Sequence, residues 1–158
     1  MKHGRPHLSY VAGATAGLLG GIAMALVAMM ATAALGMGLF AAPTMIGGIA
    51  LGPDAVMRGG AQIIVVGLAL HMMLSIAFGL VFAFVVNTWT HEIWTTGIVL
   101  ALALWLFNFY GIGAILPGAH AMAQHEPLLL AVMTHLVFGV VMAFAASRAL
   151  STGAAIVS

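Results

Sequence analysis

The sequence predicts an all-α integral membrane fold, a single transmembrane domain over residues 1–158 built as a bundle of four helices. Three observations carry that expectation. Hydrophobic residues make up 64% of the chain and charged residues 4%, against about 25% charged in soluble domains, so too little polar surface exists to keep a folded exterior wet. Mean hydropathy is +1.21. The apolar residues also fall into four stretches, about Ser9–Phe40, Ala61–Val86, Ile93–Leu116 and Leu128–Ala149. Each is long enough as a helix to cross a hydrocarbon core of ~30 Å. Lipid offers no partner to exposed backbone groups, and no alternating pattern suggests a barrel, so the spans are expected to be helical.

The first stretch imitates a signal peptide, with Lys2 and Arg5, an apolar run, and Ala31-Thr32-Ala33 as a cleavage site. The run from about Val11 to Leu35 far exceeds the roughly 7–15 residues of such a region, so a retained first span is expected. The connection after it is rich in breakers (Pro43, Gly47, Gly48, Gly52, Pro53) and holds Asp54 and Arg58. The second and third stretches are joined by a short polar turn near Asn87 to Glu92, flanked by Trp89 and Trp94 where an interfacial aromatic belt belongs. Tyr10 marks the same interface on the first helix. The last connection holds Pro117, Gly118, His120, Gln124, His125, Glu126 and Pro127. Lys2, Arg5 and Arg148 fall on one side of the membrane and Arg58 alone on the other, so both termini are expected in the cytoplasm.

The chain also reads as two copies of a helix pair in parallel. Phe78-Gly79-Leu80-Val81-Phe82-Ala83-Phe84 echoes Phe138-Gly139-Val140-Val141-Met142-Ala143-Phe144, and Gly36-Met37-Gly38 before Pro43 echoes Gly111-Ile112-Gly113 before Pro117. The alternative is chance recurrence of Gly, Ala, Val and Phe in apolar helices.

Helices in lipid associate by close packing, so small residues mark contact faces. The first helix carries Gly13, Gly17, Gly21 and Ala25 at four-residue spacing, a tandem GxxxG stripe. His71, Ser75, Gly79 and Ala83 form a second stripe, and Ala131, His135, Gly139, Ala143 and Ser147 a third. Two stripes therefore contain a histidine. Counted from the helix ends at ~1.5 Å per residue, Thr32, His71, Asn108 and His135 fall near one level, with Ser75 one turn from His71. They form an expected polar layer near the midplane, its histidines facing the bundle interior.

Three readings of that layer stand open. The imidazoles can be satisfied structurally by interhelical hydrogen bonds. His71 and His135 can ligate a metal or a haem b between helices. The layer can also line a proton or ion path, although no carboxylate lies within a span. His120, His125, Glu126, Asp54, Arg58 and the His91-Glu92 pair read as solvated loop residues, with a surface metal site as the alternative, although their spacing matches no standard metal motif. The twelve methionines, including Met72 and Met73 beside His71, read as apolar filler rather than a copper site. With no Cys there is no disulfide, thiolate site or thiol nucleophile. A net charge of +1 leaves no basic surface for nucleic acid. Phosphate-binding loops, nucleophile elbows and HExxH are absent from the sequence, and the connections are short for a substrate pocket, so no enzyme activity is expected.

Pro43-Thr44-Met45-Ile46-Gly47, Leu70-His71-Met72-Met73 leading to Phe78-Gly79, then Trp105, Pro117 and His135-Leu136-Val137-Phe138-Gly139 together resemble a group of small four-span bacterial inner-membrane proteins. The resemblance covers most of the chain and implies a bacterial plasma membrane, with no activity and no catalytic residue to carry over. The functional expectation is a non-catalytic membrane subunit or accessory protein packing against partner helices, its own copies or other subunits, within the lipid bilayer. The alternatives are a small oligomeric transporter or channel, and a haem- or metal-binding protein.

Overall fold

The computed structural model describes residues 7–90 and 92–156. Lys2 and Arg5, which carry most of the orientation argument, lie outside the described residues, as does His91. Helix α1 spans Tyr10–Ala34 and opens on Ser9, whose hydroxyl accepts the Ala12 N–H at 3.1 Å and satisfies an otherwise orphaned donor. It stops short of the expected end at Phe40. Gly36 and Gly38 adopt φ of 77° and 101°, a left-handed backbone that ends a helix.

The first connection is not a loop but two further helices, α2 at Ala41–Leu51 and α3 at Pro53–Arg58. Helix α4 then runs over Ala61–Val85, prolonged by a wide π turn over Val86–Thr90. Helix α5 spans Ile93–Leu106 and is prolonged by a second π segment, Phe107–Ile112. Helix α6 occupies Pro117–His125 and α7 Leu128–Ile156. Pro53 and Pro117 each take the first position of a helix and Pro43 sits in the first turn of α2. First-turn N–H groups have no intrahelical partner, so proline breaks nothing there.

Tyr10–Ala34, Ala61–Thr90, Ile93–Ile112 and Leu128–Thr152 are each long and apolar enough to cross a membrane, and among the described residues there is no strand. The chain is an all-α, multi-pass membrane protein whose outer faces contact the lipid bilayer. Four crossings put α1's start and α7's end at one end of the bundle, here termed the terminal end. Helices α2, α3 and α6 cap the other.

Backbone contact at glycine joins the spans. A Cβ added to Gly13 would lie 2.6 Å from the Ala83 Cβ, and one added to Gly79 would lie 2.9 Å from the Gly17 Cα. Gly21 meets Ser75 in the same seam. Helices α1 and α4 thus use their small-residue stripes on each other. The second pair closes the same way, with a Cβ on Gly139 falling 2.6 Å from the Ala101 Cβ and one on Gly97 falling 2.9 Å from the Ala143 Cβ. Gly79 and Gly139, counterparts in the sequence echo, each sit against a backbone carbonyl of the other helix in their pair, Gly13 and Gly97 respectively. Short helices join the spans of each pair at the same end of the bundle, α2 and α3 in the first half and α6 alone in the second.

Gly20 of α1 seats against the Phe138 carbonyl of α7 and brings the two pairs together. Gly67 of α4 meets Pro43, Gly47 meets Ile63, and Gly118 of α6 meets Gly48. Rising numbers on α2 oppose falling numbers on α4, so α2 runs antiparallel to the first two turns of α4. At the terminal end Asn87 clamps the chain before α1. Its Oδ1 accepts the Leu8 N–H at 3.0 Å and its Nδ2 donates to the Leu8 carbonyl at 2.9 Å. Leu8 is thereby buried with Phe82, Val86, Met142 and Ala146.

Candidate functional site

Backbone contact closes the bundle at its terminal end, but the spans part toward the short helices and border a partly open cavity of about 280 Å³. Met24, Ala25 and Ala28 of α1, Pro43 and Ile46 of α2, and Met122 of α6 supply much of its apolar wall. The π segment turns Asn108, Phe109 and Ile112 toward it. Its polar groups are His71, Asn108, Glu126, Thr134 and His135. They come from four separate elements of the chain, so the cavity exists only in the folded bundle.

His71 is half-buried, and its Nε2 lies 3.0 Å from the Gly21 carbonyl across the α1–α4 seam. His135 is 6% exposed, with Nδ1 2.8 Å from the Ala131 carbonyl one turn earlier in its own helix. Its ring meets Phe109 edge-on, the centroids 6.2 Å apart. A carbonyl only accepts, so the facing nitrogen of each ring carries the hydrogen. The uncharged rings then hold opposite tautomers. His71 keeps a lone pair on Nδ1 and His135 one on Nε2, and neither nitrogen has a protein partner among the described residues. Thr134 donates its hydroxyl proton to Ala131 O at 3.0 Å.

The expected polar layer is thus partly assembled. His71, Asn108 and His135 also border a smaller recess of about 50 Å³ together with Ser75. Ser75 itself is buried, donates to the His71 carbonyl at 2.7 Å and fills the space opposite Gly21. Thr32 does not join the layer. It lies eleven residues beyond Gly21, about 16 Å further along the helix, and bonds to the Met29 carbonyl at 3.1 Å. Its expected depth is counted from Ala42, but the helix ends at Ala34. None of Gly13, Gly17, Gly21, Gly79 or Gly139 lines the cavity; they hold its walls together.

Glu126 is the residue the sequence reading misplaced. It was expected to be a solvated loop side chain, yet it is half-buried in the cavity wall, where burial pushes its carboxyl up to about 7. Only Pro127 separates it from the apolar span α7, and that adjacency was the available signal. Thr134 carried no signal beyond being next to His135. His120 lies outside the cavity, with its Nε2 2.9 Å from Gln124 Nε2 on α6. Met73 is 67% exposed and turned away from His71.

Among the described residues no group of three or more His, Asp or Glu is placed to hold a metal ion. His71 and His135 alone remain for the metal or haem b alternative, and the Gly21 bond engages the Nε2 of His71. No family model, curated protein or solved structure matches the chain.

Proposed function

We propose that the protein is a non-catalytic small transporter of a bacterial plasma membrane, with both termini in the cytoplasm, that takes a small molecule into the cavity of its bundle. The observation that carries this reading is the cavity itself. It gathers two imidazole lone pairs, an amide and a carboxyl inside an otherwise apolar wall, the composition of a ligand site. Ionisable groups at this depth are rare and mark paths and ligand sites. The two glycine-closed helix pairs, each joined through short helices at the same end, also fit a carrier built from parallel repeats around a central site. Arg58 alone at the short-helix end supports the cytoplasmic placement of the termini.

An accessory subunit needs small-residue faces free for partner helices. Those faces are used inside the chain, α1 against α4 and α5 against α7, which favours the cavity over a docking role.

The chain has no Cys, so a single introduced thiol can be probed without background. Asn108→Cys in sealed vesicles of either orientation, treated with a membrane-impermeant thiol reagent, is expected to label from both sides. Labelling from one side only would make the cavity a binding pocket without transport. Protection from both sides, with a loop thiol labelled normally, would make it a dry packing layer and end the proposal.

A further inference from the structure

The hydrogens in the cavity are already committed. The Nε2–H of His71 is directed at Gly21 O, the Nδ1–H of His135 at Ala131 O, and the Thr134 hydroxyl at Ala131 O. What the exposed lining residues keep without a partner among the described residues is lone pairs: Nδ1 of His71, Nε2 of His135, and the oxygens of Asn108 and Glu126. Only the Asn108 amide and a protonated Glu126 offer a hydrogen. No Lys or Arg is in the lining among the described residues. A carboxylate, a phosphate or a quinone-like carbonyl would therefore meet acceptors almost everywhere, and desolvating it there would leave it without partners.

From this surplus of acceptors we infer that the ligand is an organic ammonium ion, a compact apolar body carrying a protonated amine. The inference rests on the cavity being a ligand site, and it specifies the chemistry of the ligand. Four features suit that class. The ammonium supplies three donors and a positive charge, matching lone pairs and a carboxylate. The apolar wall suits a hydrocarbon body. The volume of about 280 Å³ exceeds what a bare metal ion occupies and equals roughly nine waters at ~30 Å³ each. Phe109, buried at the cavity wall, adds an aromatic ring for the cation.

The arrangement also couples binding to a proton. The titratable groups lining the cavity are His71 on α4, Glu126 after α6 and His135 on α7; α1, α2 and the π segment contribute none among the described residues. An ammonium beside Glu126 favours its ionised form, so the carboxyl releases its proton as the amine enters. Affinity then rises with pH through about 7, the value burial gives the empty site. A carrier that exchanges an amine for a proton would follow from that competition.

Three probes with one hydrocarbon body separate the head groups: 1-adamantylamine, 1-adamantanol and 1-adamantanecarboxylate, titrated calorimetrically into the full chain in mild detergent. The amine is expected to bind one-to-one, about ten-fold or more tighter than the alcohol, and the carboxylate not at all. Glu126→Gln should weaken the amine by about ten-fold and remove its pH dependence while leaving the alcohol unchanged. His135→Leu should weaken the amine as well. Should that variant fail to fold, the Glu126→Gln result and the head-group order still decide the matter.

Carboxylate binding as tight as the amine's overturns the inference, as does amine binding indifferent to Glu126→Gln. One-to-one silver binding that the amine cannot displace would assign the lone pairs to a soft metal, with thioethers such as Met24 and Met122, and overturn it too. If Asn108→Cys labels but the amine does not bind, the ligand chemistry is wrong and the cavity reading survives. If neither occurs, both fall.

Discussion

Gly79→Ala adds one methyl at the place where α1 and α4 touch, and its cost follows from what surrounds it. The new Cβ would lie 2.9 Å from both the Cα and N of Gly17 and would also press on the Gly13 carbonyl. All three neighbours are backbone atoms, so no side chain can rotate away and the helices must separate. Overpacking of this kind costs about 1–3 kcal/mol, and a contact limited to backbone belongs at the upper end. Alanine returns up to ~1 kcal/mol as the better helix former, leaving a net loss of about 1–2 kcal/mol. Gly111→Ala is the control. Its nearest neighbour is the Phe107 ring at 3.0 Å, a side chain 58% exposed and free to swing. Reversible unfolding in mixed micelles, followed by tryptophan fluorescence, measures both. Gly79→Ala should be destabilised, and Gly111→Ala unchanged or slightly more stable. Equal stability of Gly79→Ala and the native chain, or an equal loss in the control, would refute the packing argument.

Two other perturbations follow from single side chains. Glu126 has a folded-state value raised from 4.5 to about 7. Between those pH values the folded chain keeps a proton that the unfolded chain releases, so stability is greatest below about 4.5, falls as pH rises toward 7, and then levels off. The full change is about 3 kcal/mol at ~1.36 kcal/mol per unit. Unfolding measured across that range should show the slope, and Glu126→Gln should remove it; a slope unchanged in the variant would place its origin elsewhere. Trp105 has a buried indole N–H with no partner among the described residues, a defect that costs about 1–3 kcal/mol. Trp105→Phe is accordingly expected to be neutral or stabilising by up to ~1 kcal/mol, and a loss above ~2 kcal/mol in the same unfolding assay would argue against an orphaned donor.

The fold class was legible because it depends on sums over many residues. Four long apolar runs leave few alternatives to a helical bundle, and GxxxG spacing marks contact faces through steric necessity. The three short helices were not legible, because Pro43, Pro53 and Pro117 were read as breakers when they begin helices. Proline ends a helix in its interior and starts one in its first turn, and only the position of the flanking chain decides which. The same ambiguity displaced Thr32, whose depth depended on where α1 stops. His71, Asn108 and His135 could be grouped by counting depth along spans. Glu126 could not, since a residue outside the apolar runs enters the cavity only through the way α6 folds back on α2. The tautomers, which determine what the cavity can bind, rest on individual carbonyls at Gly21 and Ala131 that no sequence pattern specifies.

Those tautomers are open to direct measurement. Solid-state nitrogen-15 NMR of histidine-labelled protein in bilayers, assigned with His71→Gln and His135→Gln, reads which ring nitrogen bears hydrogen. The account predicts two uncharged rings of opposite kind at neutral pH, His71 protonated on Nε2 and His135 on Nδ1, with the free nitrogen of each shifting when 1-adamantylamine is added. Two rings protonated on the same nitrogen, or free nitrogens that ignore the amine, would contradict it.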